Sequence, residues 1–165
     1  MNTNETTHYE GPDWNFALDV PAHWQTAPPV PANSPYELIR FVSRQSKNHL
    51  TIIFRETLIF LEDRDLMWSL KWHAEQRGQI LARNGYKGFT ESQVTIQSRP
   101  AWRLDFEKAE NWGTWNCRYY FMASGAVLYR VGFGTSDKVG MFPIFDRVAQ
   151  SFTITEWGSQ TASRQ

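Results

Sequence analysis

From residue 88 to residue 134 the chain reads as four strand-like runs in close succession: GFTESQVTIQ, RPAWRLDFEK, TWNCRYYFM and AVLYRVGFG. The turns between them contain SRP, AENWG and ASG. Parallel neighbours need a crossover of a dozen residues or more, so turns this short impose antiparallel pairing. The stretch predicts an α+β fold, an antiparallel sheet with helices packed on it.

The flanking segments extend the same scheme. WNFALDV alternates as a half-buried strand, and YELIRFVS and HLTIIFRE form a pair with RQSKN as the turn. TAPPVPANSP lacks donors at four prolines and reads as an extended surface loop. EDRDLMWSLKWHAEQRGQILARNG has a helical pattern, with Asp63 or Asp65 as N-cap and Gly85 after Asn84 as the stop. A second, short helix is expected from Met141 to Gln150, with Pro143 in its first turn and Ile144, Phe145, Val148 and Ala149 on its apolar side. SFTIT closes as a last strand. Residues 1–12 and 157–165 are polar and aperiodic and read as flexible tails around a single domain over 13–156. The 15% aromatic content, with 8 Trp, suits a sheet with a thick core; a sugar-binding surface would also use many Trp.

Composition removes several classes of function. Lys+Arg and Asp+Glu balance at 17 each, without the basic excess that phosphate neutralisation requires, so no nucleic-acid partner is expected. Cys117 is the single cysteine, which excludes an internal disulfide and a cysteine-based zinc site. His8, His23, His49 and His73 show no HExxH or HxH spacing, so neither a metal nor a cofactor is expected. There is no GxSxG, P-loop or GxGxxG; the Gly132-Phe133-Gly134 stretch reads as a strand end and turn. MNTNETTHYEG is not a signal-peptide pattern, and no apolar run has the length of a membrane span, so a cytoplasmic protein is expected.

Two surfaces stand out as candidates. With AENWG and ASG as hairpin turns, Phe106 is expected opposite Cys117, and Cys117 opposite Val131. Leu104, Tyr119 and Tyr129, then Trp102, Phe121 and Val127, follow as rows on one apolar face. The other face then carries Arg103, Asp105, Glu107, Asn116, Arg118, Tyr120 and Arg130. Such a lattice is an ordinary solvated face or, with Arg103, Asp105, Arg118 and Arg130, a site for a small anionic or polar ligand. Asp105 and Glu107 share that face about 7 Å apart. Facing arginines favour charge on both, which disfavours a general acid. The second surface lies on the long helix. A stripe of Leu66, Leu70, His73, Arg77, Ile80, Leu81 and Asn84 is expected to face the core. Trp68 and Trp72, with Glu75 and Gln79, fall on the opposite side, covered by a loop or open to a partner. His73 is expected as a hydrogen-bonded core residue, and His23 as a solvated loop residue.

The phrase NFALDVPAHWQ, a strand ending at Val20-Pro21 with Trp24 folding back over the sheet end, resembles the opening of the PsbP-like and Mog-type superfamily. A hairpin (YELIRFVS, LTIIFRE), a long helix, VTIQSRPAWRLDF, YYFMASGAVLYRVGF and a closing RVAQSF follow in the family's order, from about Trp14 to Thr155. The resemblance implies an α/β/α sandwich around an antiparallel sheet. It also implies kinship with photosystem-associated proteins, a Ran-GTPase cofactor, bacterial lipoproteins and Eag-type chaperones, mostly binding or assembly factors. The function expected is a non-catalytic soluble protein-interaction or chaperone-like module, paired with another protein or with itself. The alternative is a small-ligand binder on the arginine-rich face.

Overall fold

The computed structural model describes residues 5–11, 14–43, 49–59 and 65–155. A central sheet runs in the order β3-β4-β5-β9-β8-β7-β6. Its strands are β3 (Trp24–Ala27), β4 (Glu37–Ser43), β5 (His49–Thr57), β6 (Lys87–Ile96), β7 (Arg99–Glu110), β8 (Gly113–Ser124) and β9 (Val127–Thr135). All of these neighbours pair antiparallel. A smaller antiparallel sheet joins β1 (Thr6–Gly11), β2 (Phe16–Pro21) and β10 (Thr153–Ile154), with β2 in the middle. Helix α1 (Leu66–Arg83) packs on β6, β7 and β8, and α2 (Lys138–Gln150) on β2, β8 and β9.

Alternation along β8 sorts the two sides. Tyr120 and Met122 enter the core shared with α2 and the small sheet, whereas Cys117, Phe121 and Ala123 enter the core under α1. The helices therefore cover opposite faces of the central sheet, which makes the α/β/α sandwich. Both faces of the sheet carry an apolar core.

Several local expectations are met, and others are displaced. Asp65 caps α1 by accepting from Trp68 N at 2.8 Å, and Gly85 follows the C-cap Asn84 at φ +92°. The core stripe of α1 centres on Ser69, Leu70, His73 and Ala74; Ile80 is 40% exposed and Asn84 is also outside the core, because only Leu81 of the last turn reaches inward. Helix α2 starts three residues before the expected Met141. Asp137 is its N-cap, accepting from Gly140 N, so Pro143 sits in the second turn. The carbonyl that loses a donor there belongs to Val139, which is 88% exposed and open to water.

The segment expected as a loose N-terminal tail contains strand β1. Its side chains are mostly polar, so the ladder to β2 and the packing of Tyr9 on Phe16 and Phe41 hold it, and neither leaves a periodic signal. Trp24 is buried as expected, but as the first residue of edge strand β3, whose last two residues, Thr26 and Ala27, fall in the segment expected as a surface loop. The RQSKN turn and the 157–165 tail lie outside the described residues.

Candidate functional site

The expected arginine lattice is divided between the two cores. The β7–β8 register is as read, with Phe106 opposite Cys117 and Asp105 opposite Arg118. The β8–β9 register differs: Cys117 faces Gly134 rather than Val131, a slip of three residues. The connection is a two-residue turn, Gly125-Ala126, between Ser124 and Val127, with Gly125 at φ +57°. Glycine in the first central position favours such a tight hairpin. Because side chains alternate with period two, an odd slip exchanges the faces of β9. Arg130 thus moves to the α1 side, while Val131 and Phe133 join the α2 core.

Arg118 is buried and already fully engaged. Its Nε and Nη2 donate to the two Asp105 carboxylate oxygens at 2.8 Å each, and Nη1 donates to Asp146 Oδ1 at 2.8 Å. Tyr120 Oη donates to the same Asp146 oxygen. The guanidinium carbon also lies 4.4 Å from the Phe142 ring centre. Burial alone would lower the Arg118 pKa, but the paired carboxylates of Asp105 and Asp146 outweigh it and hold the cation above its usual range. This cluster clamps α2 to the sheet and leaves no fork for a ligand. Arg103 is half-buried, and its Nε has no hydrogen-bond partner among the described residues. Burial pushes the Cys117 thiol up to about 12, which removes it as a nucleophile.

The remaining sequence candidates have structural surroundings. His73 Nε2 accepts from the Ile59 backbone N–H at 2.9 Å, and its Nδ1 lies 3.4 Å from Glu56 Oε1, the hydrogen-bonded core role expected of it. Trp68 and Trp72 are both half-buried on the flank of α1, with the Trp72 ring edge-to-face on His73. Among the described residues no group of three or more His, Cys, Asp or Glu is placed to hold a metal ion. No described helix is long and apolar enough to cross a membrane.

A cleft of about 410 Å³ lies where α2 meets the ends of the two sheets. Pro21, Trp24, Met141, Ile144 and Val148 form its apolar walls. Glu5, Asp19, His23, His49 and Arg147 give it a rim of both charge signs. Packing fixes the walls: the Trp24 ring sits 6.2 Å from that of Phe145, and Ser151 Oγ accepts from Asp19 N at 2.8 Å, tying the end of α2 to β2. His49 Nδ1 is bonded to Thr135 Oγ1 at 2.9 Å. The Trp24 indole N–H is buried and has no acceptor among the described residues. Its walls come from β2, β3 and α2, so no local motif announced it; the Pro-x-x-Trp phrase was the one available signal.

The Pro-rich loop is latched by one buried carboxylate. Glu37 accepts from Val30 N at 2.8 Å, from the Asn33 amide, and from Arg40 through Nε at 3.0 Å and Nη2 at 2.6 Å. Burial by itself raises the Glu37 pKa, but the Arg40 fork and the Val30 and Asn33 donors outweigh it and hold it below the ordinary 4.5. A depressed carboxyl stabilises the fold fully above its unfolded pKa and loses that stabilisation as pH falls through the folded one. Wild type is therefore expected to exceed Glu37→Gln in urea midpoint at neutral pH, with the gap closing in acid. A gap independent of pH between 7 and about 3 would contradict this.

No family model and no curated protein matches the sequence. Solved structures do match. The solution structure of cyanobacterial PsbP (CyanoP) from Synechocystis sp. PCC 6803 aligns with a TM-score of 0.71 at 11% identity, over 90% of this chain and 92% of that one. The Ran-binding protein Mog1p of Saccharomyces cerevisiae aligns at 0.64 and 11% identity, over 93% and 97%. This is the PsbP/Mog-type fold. LpqN, involved in cell envelope biogenesis of Mycobacterium tuberculosis, aligns at 0.55 and 17% identity, over 93% and 87%. The closing Ser-Phe of RVAQSF has a physical role: Ser151 ties α2 to β2, and Phe152 stacks on Phe16 at 5.5 Å.

Proposed function

We propose that this protein is a non-catalytic, chaperone-like interaction module that docks a segment of a partner protein, seating one apolar side chain in the cleft beside α2. The observation that carries this reading is the cleft itself, about 410 Å³ with apolar walls and a mixed-charge rim. Interfaces that dock protein segments combine an apolar centre with a polar rim, and a rim of both signs suits a peptide better than a small ion. Mog1p, described as a Ran-binding protein, has this fold and is consistent with a binding role.

A displayed peptide library provides the test. Wild type is expected to enrich peptides with a central large apolar residue. Ile144→Glu, which places a charge on the half-buried cleft wall, is expected to weaken them at least about tenfold. Val139→Glu, on the exposed side of the same helix, is expected to bind them as wild type does. Equal binding by Ile144→Glu with an unchanged melting temperature, or enrichment of no peptide, would remove the cleft as the docking site.

A further inference from the structure

Strand β6 forms one edge of the central sheet and is paired with β7 on one side only. Three observations fix which of its backbone groups point away from β7. The β6–β7 turn is Gln97 and Ser98, at φ +52° and +63°, and a two-residue turn of this kind makes the flanking Ile96 and Arg99 a hydrogen-bonded pair. Counting back from Ile96, residues Val94, Ser92 and Thr90 also bond to β7, whereas Glu91, Gln93 and Thr95 direct their N–H and C=O outward. Opposite Thr95 stands Pro100, which has no N–H to give to β6. The Thr95 carbonyl, turned outward, accepts from Gln150 Nε2 of α2 at 2.9 Å.

Before that capped carbonyl the edge is bare. The N–H and C=O groups of Glu91 and Gln93 have no hydrogen-bond partner among the described residues, and both side chains are exposed. Sheet edges are ordinarily blunted by proline, by a bulge or by charged side chains. The bulge of β6 lies between Lys87 and Thr90, ahead of the bare stretch. From Thr90 to Ile96 there is no proline, and Glu91 is the one charged residue.

The bare groups complement themselves in one register. A second copy laid antiparallel along the edge, with the two-fold axis between the two Ser92 residues, sets Glu91 opposite Gln93 of the second copy, twice. Each such pair exchanges two bonds, so all four bare groups of each copy are used. An axis at Glu91 would oppose two carboxylates and bring Gln93 against the bulge. An axis at Gln93 would set Glu91 against the Thr95 carbonyl that Gln150 already holds. The side chains agree with the first arrangement. Leu104 and Trp102, opposite Glu91 and Gln93, pack in the α1-side core, so Glu91 and Gln93 stand on that face. There the carboxylate of one copy meets the amide of the other. Trp102 Nε1 donates to Glu91 Oε1 at 3.2 Å and steadies the carboxylate.

We propose that two copies of this chain pair along β6, joining their central sheets into one continuous sheet with both α1 helices on the same face. Strands β6 and β3 are opposite edges of the central sheet. The pairing therefore leaves the cleft beside Trp24 uncovered and is independent of the docking proposed there.

Sedimentation equilibrium of the full chain from about 10 μM to 1 mM is expected to show a monomer–dimer equilibrium. Gln93→Lys, which sets a cation opposite Glu91 twice, is expected to tighten the dimer at least about threefold, and Gln93→Glu to weaken it by at least as much. Gln93→Pro removes an outward N–H and none that bonds to β7, so it is expected to fold, with a dimer weakened at least about tenfold. If Gln93→Pro does not fold, the two charge variants decide. The proposal is overturned by a protein that stays monomeric up to about 1 mM, by equal dimer affinity of Gln93→Lys and Gln93→Glu, or by a folded Gln93→Pro that dimerises as wild type does.

Discussion

Phe145→Ala is expected to lower the unfolding free energy by about 3–5 kcal/mol. The ring is fully buried and stacks on Phe133 of β9 with centroids 4.6 Å apart and planes 20° from parallel. Phe142 and Trp24 approach it at 6.0 and 6.2 Å. It therefore keys α2 to the central sheet and braces the indole that walls the cleft. Truncation removes the transfer free energy of the ring and leaves a cavity that two secondary elements cannot close without losing their other contacts. In a domain of this size, a loss of this magnitude lowers the melting temperature by about 10 °C. Urea denaturation followed by near-ultraviolet circular dichroism measures it, and a cost under about 1 kcal/mol would show that the ring does not anchor α2. Because the cleft shares this anchor, peptide binding by Phe145→Ala should fall even where the variant remains folded.

The second large effect is at Arg118, where a solvated lattice and a buried clamp make opposite predictions. An arginine on an open ligand-binding face can be removed with little loss of stability. Arg118, bonded to Asp105 and Asp146, cannot. Arg118→Ala strands two carboxylates and empties the space over Phe142. Breaking a fully buried pair costs about 3–5 kcal/mol. Asp146 is 43% exposed on its side chain, so water takes up part of its charge and the expectation falls to about 2–4 kcal/mol. A double-mutant cycle with Asp105→Ala separates the pair from the packing. The two single losses should sum to about 1–3 kcal/mol more than the loss in the double mutant. Additive losses would mean that the fork contributes only its packing.

Much of the architecture was legible because it is written in short-range chemistry. Asp65 stands where a cap must be, three residues before the backbone N–H it accepts. AENWG fixes the β7–β8 hairpin, because Asn111 and Trp112 are the two residues between the paired Glu110 and Gly113. The order of motifs carried the PsbP/Mog-type fold, although identity to the solved structures is as low as 11%. Strand β1 was not legible. Thr6, Thr7, His8 and Glu10 show no apolar period, and the strand is held by a backbone ladder to β2.

Sequence alone determined both helices and most of the strands, that the central sheet is antiparallel, and that Cys117 is buried, since each depends on residues close along the chain. Tertiary structure decided which arginines face which carboxylates. A three-residue shift in the β8–β9 register leaves the strand pattern nearly unchanged, yet sends Arg118 and Arg130 to different faces of the sheet. It also decided the cleft, whose walls are assembled from β2, β3 and α2, with rim residues from Glu5 to Arg147. Local pattern records a side chain's polarity, whereas its partner depends on strand register and layer packing, which are settled only when distant segments meet.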